Sequence, residues 1–379
     1  MSAILDEHRQ YLSDEPRLEA YRRAIGETVK VGDVVLDLGA GTGIMGLLAC
    51  RAGAARVYSI EAESMIGLAR EICRANGFGD RVTFVKGLST QVDLPEKVDV
   101  AVCDQIGRFG FEAGIVEYSH DVVRRFLKPA GALIPSHITL LAAPVECLEM
   151  FAQVDFWKNS STGFDLTPAR AIAVNTGYPI DLRAEHLLGE PVTLTTLGLS
   201  TITPVPMKFE AEIVIGRRGT LHGIGGWFSA RLSQGATLTN SPLAADSIKR
   251  RNVFLPIDRP VSVEPGDRVS LAIQIVPTEV LLTWRVEVRS GRGESKGSFT
   301  HSTWRGMLIA REDLSRTRPG FVPKLSARGE ARLTVLSLCD GKRPLEEIEQ
   351  EVFARHAPLF RSRDEAATFV AEVVTRYSV

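Results

Sequence analysis

The chain of 379 residues has no apolar run approaching the roughly 20 residues that a membrane-spanning helix requires. Neither charge is in excess: 45 basic against 46 acidic side chains leave a formal net charge of −1. That balance gives no electrostatic footprint for nucleic acid and no acidic solvating tail. Its five cysteines are an odd number, lie far apart and include no C-x-x-C pair. The expectation is reduced thiols in a cytoplasmic compartment, with no disulfide framework and no metal site. The opening, MSAILDEHRQYLSDEP, is too polar and acidic for a signal or transit peptide. Internal repeats and low-complexity tracts are missing as well. What is present is an ordinary globular composition, long enough for two or three domains.

Residues 1–30 read as helical. Leu12, Leu18, Tyr21 and Ile25 recur along one face, and Pro16 interrupts them. From 31 to 135, apolar strands at 34–38, 56–60, 82–86 and 98–103 alternate with amphipathic helices at 44–52 and 65–76. Gly53 and Gly77 stand just past those helices, where a C-terminal cap belongs. Such alternation predicts a parallel sheet covered on both faces. Residues 136–305 are rich in Val, Ile, Thr and Leu with turn residues at short intervals, which predicts an antiparallel sandwich or barrel. Within them, 148–170 differs in carrying several aromatics and a polar loop. From 320 the chain turns helical again. Ser326 can cap a helix ending at Gly341, and Leu345, Ile348 and Val352 mark a second. A third opens with a capping box, Ser362 and Glu365, and lines up Ala366, Phe369, Val370, Val373 and Tyr377. The expected fold class is α/β plus β. It comprises a Rossmann-like parallel-sheet domain (1–135), a β-barrel domain (136–305) and a helical, winged-helix-like domain (306–379).

The strongest local motif is Val35-Leu36-Asp37-Leu38-Gly39-Ala40-Gly41-Thr42-Gly43. An apolar strand runs into alternate glycines, and a helix follows. Glycine lets the backbone turn tightly and meet a ligand closely, and the helix behind offers free N–H groups. Gly41, Gly43 and Gly46 also satisfy G-x-G-x-x-G, so a dinucleotide has to be weighed. Two features favour S-adenosyl-L-methionine. Asp37 stands two residues before the first glycine, where a charged amino-acid group would suit it better than a pyrophosphate. No second nicotinamide-binding half follows. Glu61, ending the second strand, can accept both ribose hydroxyls of either cofactor.

With these motifs in order, residues 8–305 resemble the protein arginine methyltransferases. HRQYLSDEPR (8–17) is similar to that family's cofactor-covering helix, which implies that Arg17 grips the cofactor carboxylate with His8 nearby. The glycine motif resembles the family's first motif and places Gly39 and Gly41 against the cofactor. Ile60-Glu61-Ala62 resembles its ribose-binding acid. Lys86-Gly87-Leu88-Ser89-Thr90 occupies the stretch that contacts adenine, with Thr90 where the family has an acid. HGIGGWFSARL and the segment 151–166 resemble the family's barrel and dimerisation arm, so a homodimer is implied.

The acceptor half departs from the pattern. The family holds a substrate guanidinium between two glutamates on one loop, since paired carboxylates fix a delocalised cation by charge-assisted hydrogen bonds. Here that loop reads Cys103-Asp104-Gln105-Ile106-Gly107-Arg108-Phe109-Gly110-Phe111-Glu112-Ala113. The first position is Asp104, one methylene shorter. The second is Ala113, so either the loop shifts and Glu112 serves or the second carboxylate is gone. Arg108 would repel a guanidinium. The family's Thr-His-Trp loop is replaced by Ser247-Ile248-Lys249, followed by Arg250 and Arg251. This basic run is either a site for an anionic group on the substrate or a solvated loop. His301-Ser302-Thr303-Trp304 aligns with a later barrel strand and is a decoy, and His120 reads as a surface or capping residue. Asp104 could act as a base, orient an acceptor, or bond cofactor and backbone. The catalytic candidates are Asp104 and Glu112.

Leu338 to Ile348, LCDGKRPLEEI, resembles the helical part of PqqD-like domains that bind leader peptides in the biosynthesis of ribosomally made, modified peptides. The alternative is a structural helical cap. The expected function is S-adenosyl-L-methionine-dependent methylation of a peptide side chain in natural-product biosynthesis. Methylation of a small molecule and a catalytically inactive binding partner are the competing readings.

Overall fold

The structure, a computed structural model, describes residues 3–158 and 162–378. The middle of the expected 148–170 arm, residues 159–161, lies outside the described residues. The chain divides into two compact units, Met1–Met307 and Leu308–Val379.

The first unit opens with α1 (Ala3–Leu12) and α2 (Glu15–Thr28). Pro16 sits in the first turn of α2, where its missing N–H has no helical partner to lose, so it starts a helix rather than interrupting one. The alternating region follows: β1 (Val34–Leu38), α3 (Ile44–Ala52), β2 (Arg56–Glu61), α4 (Met65–Ala75), β3 (Val82–Lys86), β4 (Val98–Cys103), α5 (Ile115–Arg125) and β5 (Leu127–Ile134). The five strands are parallel in the order β3-β2-β1-β4-β5. All five residues of β1 are buried, as expected of a strand covered on both faces. Gly53, at φ +112°, ends α3 with its N–H on the Ala49 carbonyl. The chain winds outward from β1 to β3 and then returns to β4 on the other side of β1. Ligands of such sheets bind at the carboxyl ends of the strands flanking that reversal. Leu38 of β1 pairs with Cys103 of β4 there.

The rest of the unit is antiparallel. β6 (His137–Val145) leads to α6 (Leu148–Asp155) and α7 (Thr167–Ala173), then to β7 (Tyr178–Ile180), β8 (Val192–Gly198), β9 (Met207–Val214), β10 (Gly219–Arg231) and β11 (Thr237–Thr239). β12 (Asn252–Val263), β13 (Arg268–Val276), β14 (Leu281–Arg289) and β15 (Ser295–Ser302) complete it. One sheet runs β7-β12-β10-β6-β8 with β11 on β10, and the other β15-β14-β13-β9, together forming a barrel-like body. A single hydrophobic core runs from Val35, Ile60 and Val100 of the parallel sheet to Phe228, Leu255 and Trp284 of the barrel. A smaller core, built on Trp227 and Phe254, seats α6 and α7. Among the described residues no helix is long and apolar enough to cross a membrane.

The second unit holds α8 (Arg311–Arg316), α9 (Ala327–Leu338), α10 (Leu345–His356) and α11 (Arg363–Tyr377), and no strand among its described residues. Ser326 Oγ caps α9 by accepting from Gly329 N at 3.2 Å. The helix ends at Leu338 rather than Gly341. Asp340 Oδ1 accepts from Lys342 N and Arg343 N at 2.9 and 3.1 Å and folds the chain into a turn first. Ser362 caps α11 through Glu365 N, while the Glu365 carboxylate reaches one residue past the cap, to Arg361 N. Ala331, Val335, Ile348, Val352, Phe369 and Val370 fill the core. Tyr377, expected on the inner face of α11, is 56% exposed in its last turn.

Candidate active site

Two loops meet at the carboxyl ends of β1 and β4. The first carries Gly39, Gly41 and Gly43 at φ +69°, +54° and +79°, a left-handed path that a side chain would strain. Gly39 N and Ala40 N both donate to the Ile60 carbonyl at 3.0 Å, which stitches the turn to the end of β2. Glu61 clasps it from the same side. Its Oε2 accepts from Gly41 N at 2.7 Å and its Oε1 from Glu63 N at 2.8 Å. A Cβ on Gly39 would lie 2.5 Å from Gln105 Nε2, and one on Gly41 2.5 Å from His8 Cε1. Both obstacles are ends of flexible side chains. A ligand approaching this backbone displaces side-chain tips, not the main chain. The glycine turn therefore has room for a ribose-bearing cofactor.

Asp37 is placed differently from its expected role. It is 2% exposed and its Oδ2 accepts from Gly46 N, in the first turn of α3, at 2.9 Å. Burial pushes its carboxyl up to about 7, against that hydrogen bond, and the neighbouring Glu61 charge adds to the rise. It anchors the turn to the helix from beneath. Ser89 is also buried, with its carbonyl accepting from Arg125 Nη2, whereas Thr90 beside it is exposed.

The second loop begins at Asp104, whose carboxylate is fully engaged by the chain itself. Oδ2 accepts from Arg17 Nε at 2.7 Å, pairs with Arg17 Nη2 at 2.6 Å and accepts from Arg250 Nη2 at 3.1 Å. Oδ1 accepts from Tyr21 Oη at 2.9 Å. The side chains of Arg17, Asp104 and Arg250 are only 9%, 14% and 15% exposed, so their charges act largely out of water. Burial alone would raise the Asp104 carboxyl; the Arg250 and Arg17 guanidiniums, with the bonds from Arg17 and Tyr21, outweigh it and hold the group below its usual range. Burial and the Asp104 charge push the Tyr21 phenol well up. Arg250 Nη1 also reaches the Gly107 carbonyl at 3.4 Å, and its guanidinium faces the Phe228 ring at 5.9 Å.

Glu112 turns back into its own loop. Oε1 accepts from Arg108 N at 2.5 Å and Phe109 N at 2.9 Å, and Oε2 from Phe111 N at 3.3 Å. Gly107, at φ +84°, makes room: a Cβ there would sit 2.5 Å from Glu112 Cδ. His120 Nδ1 lies 3.1 Å from the Ile202 carbonyl, and His301 is buried against Trp284 in the barrel.

The structure thus gathers Arg17 and Asp104 on one side and His8, Gly39, Gly41 and Glu61 on the other. Tyr21 and Gln105 were not among the site candidates read from the sequence, and Arg250 was named only as part of a basic run. Tyr21 stands one helical turn after Arg17 and shares its face. Gln105 follows Asp104 directly. Before β12 the residues alternate: Ile248 and Asn252 are buried, Lys249 and Arg251 exposed, and Arg250 points inward.

Comparison with known proteins bears on both halves of this fold. The family model described as the arginine methyltransferase oligomerization subdomain matches residues 137–287, and a methyltransferase-domain model matches residues 35–131. Probable protein arginine N-methyltransferase 6 of Arabidopsis thaliana is 29% identical over 238 residues, which cover 60% of this chain and 54% of that protein. Protein arginine N-methyltransferase 1 of Dictyostelium discoideum is 30% identical over 237 residues, covering 60% of this chain and 68% of the relative. In structure, the Trypanosoma brucei PRMT1 enzyme–prozyme heterotetrameric complex with AdoHcy aligns with a TM-score of 0.70 at 20% identity, covering 78% of this chain and 97% of that one. The chain belongs to the protein arginine methyltransferase family and is an S-adenosyl-L-methionine-dependent methyltransferase built on that family's fold.

Proposed function

We propose that this methyltransferase modifies a side chain of a ribosomally made peptide, in natural-product biosynthesis, at an acceptor other than a guanidinium. The observation that carries this reading is Asp104. Its carboxylate is bonded by Arg17, Arg250 and Tyr21, and Glu112 is spent on loop N–H groups, so neither acid is left for an incoming cation. A second cation at Asp104 would have to displace a buried arginine of the chain itself.

The cofactor supplies an activated methyl group, so the chain's work is binding, orientation and exclusion of water. Gly39 and Gly41 offer open backbone, Glu61 takes the ribose hydroxyls, and His8 and Gln105 close over the turn. Arg17 has five donors, enough to hold Asp104 and the cofactor carboxylate together. Asp37 acts beneath the turn, and Ser89 and Thr90 border the adenine end. Asp104 and Glu112 position the acceptor loop.

Three further observations support the wider reading. The LCDGKRPLEEI turn sits in a compact helical unit of its own, as a leader-binding module would. Leu148, Phe156 and Phe164 are 70%, 54% and 77% exposed, which suits an arm that dimerises. All five cysteines are free and four are buried, which suits the cytoplasm.

Calorimetry with S-adenosylhomocysteine tests the donor site, and a search beside the gene for a short precursor peptide, followed by a methyl-transfer assay on it, tests the substrate class. Absence of cofactor-product binding refutes the proposal. Turnover on the precursor that is unchanged after deletion of residues 320–379 removes the leader-binding role. The full engagement of both loop acids also favours a second reading, an inactive partner that supports another methyltransferase, as in an enzyme–prozyme pair. Cofactor-product binding without turnover on peptide or small molecule would select it.

A further inference from the structure

We infer that the acceptor is a carboxylate, gripped by Arg250 and converted to a methyl ester; this rests on the reading of a non-guanidinium acceptor. At the mouth of β4 two arginines meet one acid. Arg17 and Arg250 are buried cations sharing one carboxylate, Asp104. Lys249 and Arg108 add exposed positive charge beside them. Asp14, 4% exposed, accepts from Lys249 N at 2.9 Å, and Glu112 is held by its own loop. Two largely buried guanidiniums thus share a single carboxylate.

Arg250 is built to hold an anion. Asp104 and the Gly107 carbonyl take one donor each from its two Nη atoms, leaving three of its five N–H groups. Its guanidinium lies 5.9 Å from the centroid of the Phe228 ring. A planar fork of this kind matches a carboxylate and does not match an ammonium or a second guanidinium.

The same surroundings select the nucleophile. Neither loop acid is a ready base: Asp104 is held ionised by two guanidiniums, and Glu112 accepts from three backbone N–H groups. An acceptor that must lose a proton is poorly served. A carboxylate is already ionised at neutral pH. As one of its oxygens bonds to the methyl carbon, the carbon–sulfur bond of the sulfonium breaks and its electron pair stays on sulfur. The anion's charge cancels the sulfonium's, and no proton moves. Methylating an amine or imidazole would instead leave a new cation beside Arg17 and Arg250.

The test uses the full chain saturated with S-adenosylhomocysteine and three probes: the N-acetyl, N-methylamide forms of glutamate, glutamine and arginine. Calorimetry should find the glutamate probe binding at least about tenfold more tightly than the glutamine probe, with no binding of the arginine probe. Arg250→Gln should abolish that preference, with S-adenosylhomocysteine binding still measurable. Arg250→Lys, which keeps the charge but loses the fork, covers the case of a poorly folded glutamine variant and should weaken the glutamate probe about tenfold. Equal binding of glutamate and glutamine probes, binding of the arginine probe, or a preference that survives Arg250→Gln overturns the inference and leaves the methyltransferase assignment standing. Loss of S-adenosylhomocysteine binding by the unmodified chain would overturn both.

Discussion

Replacing Asp104 by Asn removes one charge and almost no volume, and it isolates what holds the two site arginines. Arg17 Nη2 lies 2.6 Å and Arg250 Nη2 3.1 Å from the same oxygen, and all three side chains are less than a sixth exposed. At an effective dielectric constant near 20, unit charges about 4 Å apart attract by roughly 4 kcal/mol. Breaking one partnership of a buried pair costs about 3–5 kcal/mol, because it strands an uncompensated charge. The amide keeps an acceptor for Tyr21, so that bond does not add to the loss. The expected destabilisation is therefore about 3–5 kcal/mol, or roughly 5–8 °C in Tm for a unit of this size. Circular dichroism melts at pH 7.5 read it directly. The sign of the pH dependence follows from the depressed Asp104 carboxyl. Its stabilisation is fully present above the ordinary carboxylate pKa and is lost as pH falls below that range, so the gap between wild type and Asp104→Asn should close only in strong acid. Adding Arg250→Gln to Asp104→Asn should recover part of the loss, since the stranded cation goes with it. A single variant within about 1 kcal/mol of wild type would refute the picture of a buried, charge-balanced cluster.

Asp37 tests the opposite sign. Its carboxyl is raised to about 7, so its contribution is fully present below the unfolded pKa and is lost as pH rises through about 7; Asp37→Asn should flatten that stretch of the Tm–pH curve, and an unchanged slope would contradict the burial. Glu112→Ala strands the loop N–H groups of Arg108, Phe109 and Phe111 and should cost about 1–3 kcal/mol in urea unfolding. Gly107→Ala should cost a similar amount in the same titration, because the added methyl group forces Glu112 out at a positive φ. Glu61→Ala should weaken S-adenosylhomocysteine binding by about 1.5–3 kcal/mol in calorimetry, with unfolding by heat changed far less.

The parallel sheet was legible because its signals are local. Strands at 34–38, 82–86 and 98–103 match their observed bounds, and Gly53 and Gly77 mark helix ends through their own backbone geometry. Asp37 was harder to place. A strand buried on both faces has no polar side, so alternation cannot say whether an acid points to ligand space or into the helix behind it. The terminal helices were visible by their caps, but Tyr377 shows that periodicity continues past the point where packing stops. The acceptor loop was legible as a departure and not as a structure. Its meaning depends on Arg250, which is 146 residues from Asp104 in the chain. No local pattern encodes that meeting; the period-two burial from Ile248 to Asn252 is its one trace.

The central claim is that the donor half of this site is kept while the chain's own arginines occupy the carboxylate that would otherwise meet a substrate guanidinium. The most direct measurement supplies the purified protein with radiolabelled S-adenosyl-L-methionine and a glycine–arginine-repeat peptide, followed by amino-acid analysis of the product. S-adenosylhomocysteine binding, measured alongside, shows that the donor site is intact. The account predicts such binding with no methylarginine formed. Methylarginine formed on the repeat peptide by the unmodified chain would contradict it.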